Sequence, residues 1–350
     1  MSSVQVAFEN QSAICTAAGA PFTGRMCRLV GERLDDATPL GRRILNWAGN
    51  PSHEGDALPL RLMGGLHALA RSGLRPDWSA VYPPAMAPDD DALWALLADV
   101  LQAQGDWLDP WLDGPPQTNE VGRSAGLMAG LMVLADRFGL PFSLYELGAS
   151  AGLNSLLDHY GYRLGDVTAG EAGSAVQLSP RWTGDSPPKA RVEVVARQAV
   201  DRNPLDATDA RTREMLAAYV WADQRERLSR LEAALEIAGK HPVTIDRADA
   251  ADWLEQHLSI AAEHGVCSVV MHTIAYQYFP PDAQQRIRDH LQAVGEGASA
   301  NAPLAWLRFE ASDDGGPERR PALDLTIWPG GETRRLAIGQ PHGASYDWMG

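Results

Sequence analysis

The stretch from Phe142 to Tyr160, FSLYELGASAGLNSLLDHY, decides the fold. It reads as a short apolar strand, a glycine-spaced turn and the opening of an amphipathic helix, with Glu146 two residues ahead of the first glycine. Gly148 and Gly152 lack a Cβ, so the backbone can turn sharply and a ligand can come close to it. A helix N-terminus placed after such a turn offers unpaired amide donors. The helix is predicted from Leu153, Leu156, Leu157 and Tyr160, which fall on one face at helical spacing.

Three chemistries compete for this segment. A dinucleotide fold wants GxGxxG, but Ser150 stands at the second glycine and Leu153 at the third. A serine hydrolase wants GxSxG at a strand-to-helix elbow, and Gly148, Ser150 and Gly152 complete that string with Ser150 as nucleophile. The segment also resembles the first strand and loop of class I S-adenosylmethionine-dependent methyltransferases, where an acid closes the strand and glycines follow. Glu146, Gly148 and Gly152 carry that resemblance and Ser150 departs from it.

Residues upstream separate the last two. A hydrolase elbow follows several strands, whereas residues 1–140 read as helices. The clearest is Val121 to Phe138, where Val121, Ala125, Met128, Met132 and Ala135 recur at steps of three and four. Thr118 and Asn119 are its capping candidates, with Glu120 near the positive end of its dipole. Downstream, strands are predicted at 191–201, 242–246, 266–274 and 304–310, separated by helical patterns over 210–238, from Asp249 onward and over 282–294. Leu323, Leu325 and Ile327, a ProGlyGly turn at 329–331, then Leu336 and Ile338 predict a C-terminal hairpin.

The expectation is therefore an α/β fold: a doubly wound, mostly parallel, Rossmann-like methyltransferase sheet over residues 140–350, ending in an antiparallel hairpin. An all-helical cap domain over residues 1–139 precedes it, and an insertion falls at about 162–189. At finer scale, ELGASAGLN together with TNEVGR, DRNPLD, HTIAYQY, WPGG and HisGly at 342–343 resembles an uncharacterised bacterial domain-of-unknown-function family over most of the chain.

Composition limits the partners. The formal net charge is −15, and the basic pairs Arg42–Arg43, Arg319–Arg320 and Arg334–Arg335 are dispersed, which argues against a nucleic-acid substrate. No apolar run is long enough to span a bilayer, and the N-terminal MSSVQVAFEN has no basic stretch. Cys15, Cys27 and Cys267 are far apart, as reduced core thiols would be. A cytoplasmic protein acting on a small molecule is expected, with no metal, since HExxH, paired CxxC and a calcium loop are all missing.

The methyltransferase resemblance implies roles. Glu146 would shape the S-adenosylmethionine pocket, with Gly148, Ser150 and Gly152 bringing backbone close to it and Asn154 pointing in from the next turn. Asp201 would accept from the ribose hydroxyls, and Asp249 from the adenine amine. His272, at the end of the most apolar strand, would accept a proton near neutral pH, with Tyr276 beside it and Gln277 at the substrate mouth. Asn119, Glu120 and Arg123 would form a substrate wall. A degenerate fold that binds a nucleotide-like effector or a partner protein without catalysis is the third possibility.

Overall fold

A computed structural model describes residues 2–259, 264–312 and 320–350; Arg319 lies outside them. The chain divides into two compact units, Met1–Thr118 with Ala210–Ser229, and Asn119–Asp209 with Arg230–Gly350.

The first unit is helical among its described residues. Ser2 and Gln5 form a capping box that starts helix Ser3–Ala17. Helix Pro21–Arg33 starts on a proline, and its first amides are satisfied from far along the chain: Asp223 accepts from Phe22 N at 2.7 Å and from Thr23 N at 3.0 Å. Helix Leu58–Ser72 lies at the centre of this unit, with ten of its buried side chains or glycines between Leu58 and Ala70 contiguous from Arg61 to Ala70. Its Gly64 and Gly65 admit the rings of Tyr219 and Trp111; a Cβ would stand 2.5 Å and 2.9 Å from them. His67 meets the Ala218 carbonyl at 3.1 Å, and Arg71 pairs with Glu214. These contacts are why residues 210–229 belong with the first 118.

The second unit carries the strands. They are β1 Phe142–Leu147, β2 Gly161–Leu164, β3 Val167–Gly170, β4 Gln177–Leu178, β5 Arg181–Thr183 and β6 Val194–Asp201. Then come β7 Ile245–Arg247, β8 Cys267–Thr273, β9 Leu304–Ala311, β10 Pro321–Trp328, β11 Glu332–Gly339 and β12 Ser345–Trp348. Nine form one sheet in the order β5-β12-β11-β10-β9-β8-β1-β6-β7, and β3-β2-β4 form a small second sheet. Strands β7, β6, β1, β8 and β9 are parallel neighbours; β10 to β12 continue antiparallel. This is a mixed α/β fold around a large, mostly parallel sheet. All six residues of β1 are buried, as expected of a central parallel strand covered on both faces.

Three expectations are corrected. The helix after the glycine turn is a six-residue 3-10 turn, Asn154–His159, that runs directly into β2. Leu153, Leu156, Leu157 and Tyr160 are all fully buried, so the burial pattern is right and the element is not. The helical stretch over 210–238 is two helices, Ala210–Ala218 and Arg225–Lys240. Helix Ser124–Phe138 packs on the sheet rather than with the upstream helices. Its Gly126 and Gly130 approach Tyr346 and Leu307 so closely that a Cβ would fall 2.9 Å and 2.6 Å away. The division after residue 118, instead of after 139, follows from that packing.

The hairpin over β10 and β11 pairs in antiparallel register, Leu325 opposite Arg334 and Thr326 opposite Thr333.

Candidate functional site

The chain leaves β1 for β6 and β7 on one side, then returns to lay β8 and β9 on the other. The order of strands therefore reverses between β1 and β8, and in open α/β sheets ligands bind beyond the C-terminal ends of strands at such a point. Two non-glycine residues with positive φ stand in the loops there: Ser150 at 56° after β1 and Ile274 at 47° after β8. For the β-branched Ile274 this is a strained conformation of the kind found at functional sites. Its amide is fixed by the Phe309 carbonyl at 2.8 Å.

The β1 loop differs from the expected donor-rich turn. Gly148 and Ala149 N–H both donate to the Val200 carbonyl, at 2.9 Å and 3.0 Å, and Gly152 N–H donates to the Ala149 carbonyl at 2.8 Å. Ser150 N–H donates to Asp201 Oδ2 at 2.8 Å. Ala151 and Leu153 N–H both donate to Asn119 Oδ1, at 3.2 Å and 2.9 Å. An anion cradle needs free amide donors, and all six amides from Gly148 to Leu153 already have acceptors inside the protein. The loop is consequently no phosphate cradle. Gly148 and Gly152 do meet the need for left-handed backbone, with φ of 70° and 72°. A Cβ on Gly148 would lie 2.6 Å from that of Ala275, so the loops after β1 and β8 touch.

Two carboxyl groups flank this loop. Glu146 is 3% exposed and accepts from the Ser155 hydroxyl; burial pushes its carboxyl up to about 7, Ser155 opposing and the Asp201 charge adding to the rise. Asp201 uses its second oxygen to accept from Asn203 N at 2.8 Å. An ionised carboxylate has about four acceptor positions, so Asp201 retains capacity for further donors. Asn154 is 1% exposed and accepts from Ser124 Oγ at 2.8 Å.

The end of β8 is held as firmly. His272 is fully buried; its Nδ1 lies 2.7 Å from Glu310 Oε1, and the Trp306 indole N–H donates to its Nε2 at 2.9 Å. Both ring nitrogens are thus engaged, with Nε2 as acceptor and Nδ1 carrying the proton. Burial pushes the Glu310 carboxyl up, but the hydrogen bond from His272 and those from Ala275 and Tyr276 N–H outweigh it and hold it below its ordinary range. Tyr276 stacks on His272 at 4.9 Å, donates to the Gln284 carbonyl at 2.7 Å and accepts from Arg288 at 2.9 Å. Gln277 is exposed. Asp249 caps helix Ala250–His257 through Ala251 N, which accounts for it locally.

Residues 119–123 form a strap between the two loops. Asn119 grips the β1 loop, while Arg123 donates to the Thr273 carbonyl at 3.0 Å and to the Pro341 carbonyl at 2.9 Å. Between them Glu120 accepts from Gly122 N at 3.0 Å, with Arg230 at 3.9 Å and His342 Nδ1 at 3.6 Å. The Glu120 side chain is 6% exposed and that of His342 36%. Asn119, Glu120, Arg123, Ser150 and Asp201 are therefore brought together around one loop system. Sequence reasoning missed Ser124, Ser155, Arg230, Glu310 and His342 as members of it. The HisGly pair was a visible signal, since Gly343 backs directly onto the Gly122 carbonyl.

A pocket of about 250 Å³ opens beside this loop. It is lined by Ala151, by Leu205 to Thr208 after β6, and by Pro242, Val243 and Ile245 around β7. Asp206 at its wall is held below the ordinary carboxylate range by hydrogen bonds from the Thr208 hydroxyl and amide, so it stays ionised at neutral pH. Among the described residues no group of three or more His, Cys, Asp or Glu is placed to hold a metal ion, and no helix is long and apolar enough to cross a membrane.

Fold and site together define a mixed α/β protein with a pocket, walled in part by Asp206, beside the glycine loop. The family described as an uncharacterized protein conserved in bacteria (DUF2332) matches residues 5–348, and the chain belongs to it. No curated protein and no solved structure matches the chain.

Proposed function

We propose that the sheet unit binds S-adenosylmethionine at the β1–β6–β7 pocket and transfers its methyl group to a small molecule. One observation carries the reading. The glycine loop has its amides already bonded within the protein, and the groups that remain around it are the carboxyl groups of Glu146, Asp201 and Asp206. Such a site suits a ligand that brings hydroxyls and positive charge, and it disfavours the pyrophosphate of a dinucleotide, which needs free amide donors. The strand order β7-β6-β1-β8-β9, with β10 antiparallel beside it, is compatible with a methyltransferase sheet.

When bound, S-adenosylmethionine supplies an electrophilic sulfonium methyl group. Asp201 accepts from ribose hydroxyls through the lone pairs left by Ser150 and Asn203. Glu146, held by Ser155, shapes the floor of the site. Catalysis rests mainly on positioning, which supplies roughly 7 to 11 kcal/mol in favourable systems. Where the acceptor must lose a proton, a histidine at this end of the sheet takes it: His272 at the end of β8, or the partly exposed His342 beside Glu120.

The serine-hydrolase reading has one observation in its favour, the positive φ of Ser150. It ranks second because His272, the buried histidine at the same end of the sheet, has no free lone pair for Ser150. A crystal structure of the protein soaked with S-adenosylmethionine tests the proposal. A nucleoside seated between Ala151, Asp201 and Asp206 is the expected result; a nucleoside bound elsewhere, or none at millimolar ligand, overturns it.

A further inference from the structure

On β9 the side chains of Trp306 and Glu310 both reach His272, which places the even-numbered residues of this strand on one face of the sheet. Arg308 stands between them, opposite Asp324 of β10, with its guanidinium carbon 4.1 Å from the Trp306 ring centroid. Neither acid near it hydrogen-bonds it. Asp324 accepts from Arg335 at 2.9 Å and 3.3 Å, and Glu310 accepts from His272, Ala275 and Tyr276 through Oε1 alone, while its buried Oε2 has no hydrogen-bond partner among the described residues. Arg308 itself makes no hydrogen bond or ion pair with any described residue.

Its surroundings are aromatic, with arginines as well as the carboxylates of Asp324 and Glu310 close by. Tyr276 meets Trp306 edge-on at 5.8 Å, and Arg288 donates to the Tyr276 hydroxyl at 2.9 Å. Burial pushes the Arg308 pKa below its ordinary value, with the Asp324 charge opposing. A half-buried guanidinium without a hydrogen-bonding counter-ion is an unfavourable arrangement that a bound anion would relieve. Stacking occupies the face of the guanidinium and leaves its N–H edge for a planar, bidentate partner. Tyr278, 74% exposed two residues beyond Tyr276, adds a flat apolar surface on the same loop.

We propose that Arg308, stacked on Trp306 and flanked by Arg288 at the Tyr276 hydroxyl, binds the carboxylate of a small planar organic acid. That the acid is the methyl acceptor rests on the proposed function; that it binds at Arg308 does not.

Benzoate, benzamide and inorganic phosphate titrated into the whole protein, followed by ligand-observed NMR and by the Trp306 indole resonance, test this. Benzoate should bind, with benzamide weaker by about tenfold or more. Arg308→Gln should remove that preference, and Arg308→Lys, which keeps the charge without the planar fork, should weaken it if the glutamine variant does not fold. Arg334→Gln, at an exposed arginine on β11, should change nothing. Absence of benzoate binding at tens of millimolar overturns the proposal, as do equal binding of benzamide, stronger binding of phosphate, or a response unchanged in both Arg308 variants. S-adenosylmethionine titrated into the same samples reports separately on the proposed function, since its failure to bind leaves the benzoate result standing.

Discussion

The Asp201 carboxylate accepts the Ser150 amide at 2.8 Å and thereby fixes the glycine loop of β1 to the end of β6. Its other oxygen accepts from Asn203, so one side chain organises the loops after two neighbouring strands. Asp201→Ala leaves both amides without their acceptor and should lower stability by about 1–3 kcal/mol. Asp201→Asn, which keeps one carbonyl acceptor, should lower it less. Urea unfolding distinguishes them, and equal stability of all three proteins would contradict this account of the loop.

Glu146 sets a pH dependence. Its folded carboxyl is raised from 4.5 to about 7, so the folded state holds the proton more tightly than the unfolded chain. Below the unfolded value both states are protonated and the burial carries no penalty. The penalty grows as pH rises from about 4.5 to 7 and is then constant, on the order of 3 kcal/mol. Glu146→Gln should remove this component while still accepting from Ser155. The variant should therefore gain stability relative to wild type between pH 5 and pH 8 on a scale of about 3 kcal/mol. A constant difference across that range would refute the assignment.

Gly148 and Gly139 both have positive φ, 70° and 63°, but only Gly148 faces a neighbour, Ala275, while nothing lies within 4 Å of a Cβ on Gly139. Alanine at Gly139 should cost about 1 kcal/mol from backbone conformation alone. Alanine at Gly148 adds an overpacking term of about 1–3 kcal/mol. Thermal melts of the two variants measure the difference, and closely similar melts would mean that the β1 and β8 loops do not touch as described.

Glu310 serves His272 and two loop amides at once. Glu310→Ala should destabilise by more than about 2 kcal/mol, because the buried His272 ring and two part-buried amides lose their acceptor together. Chemical denaturation followed by tryptophan fluorescence, Trp306 among the reporters, checks the magnitude. A loss under about 0.5 kcal/mol, the scale of an ordinary surface change, would contradict the network.

Much of the sheet was legible because burial on both faces leaves continuous apolar runs. FSLYEL became β1, CSVVMHT β8 and LAWLRFEA β9, and the alternation of Leu323, Leu325 and Ile327 became β10. The spacing of Leu153, Leu156, Leu157 and Tyr160 misled, since a 3-10 turn entering a strand buries the same positions as an α-helix. Pairings across long separations left no local trace. Asp223 capping the helix at Pro21 moved residues 210–229 into the helical unit, and His342 reached Glu120 from the far end of the chain. The glycine loop showed its shape in the sequence but not its hydrogen bonds, because the acceptors Asn119 and Asp201 lie about 30 residues upstream and 50 downstream of it.

The central claim is that the acid-lined loop takes a phosphate-free, positively charged nucleoside. Isothermal titration of the intact protein with S-adenosylmethionine, its demethylated product, NAD and ATP tests it most directly. Saturable binding of S-adenosylmethionine and its product, with no heat from NAD or ATP, is the predicted result. Binding of NAD or ATP in preference, or no S-adenosylmethionine binding at millimolar concentration, would contradict it.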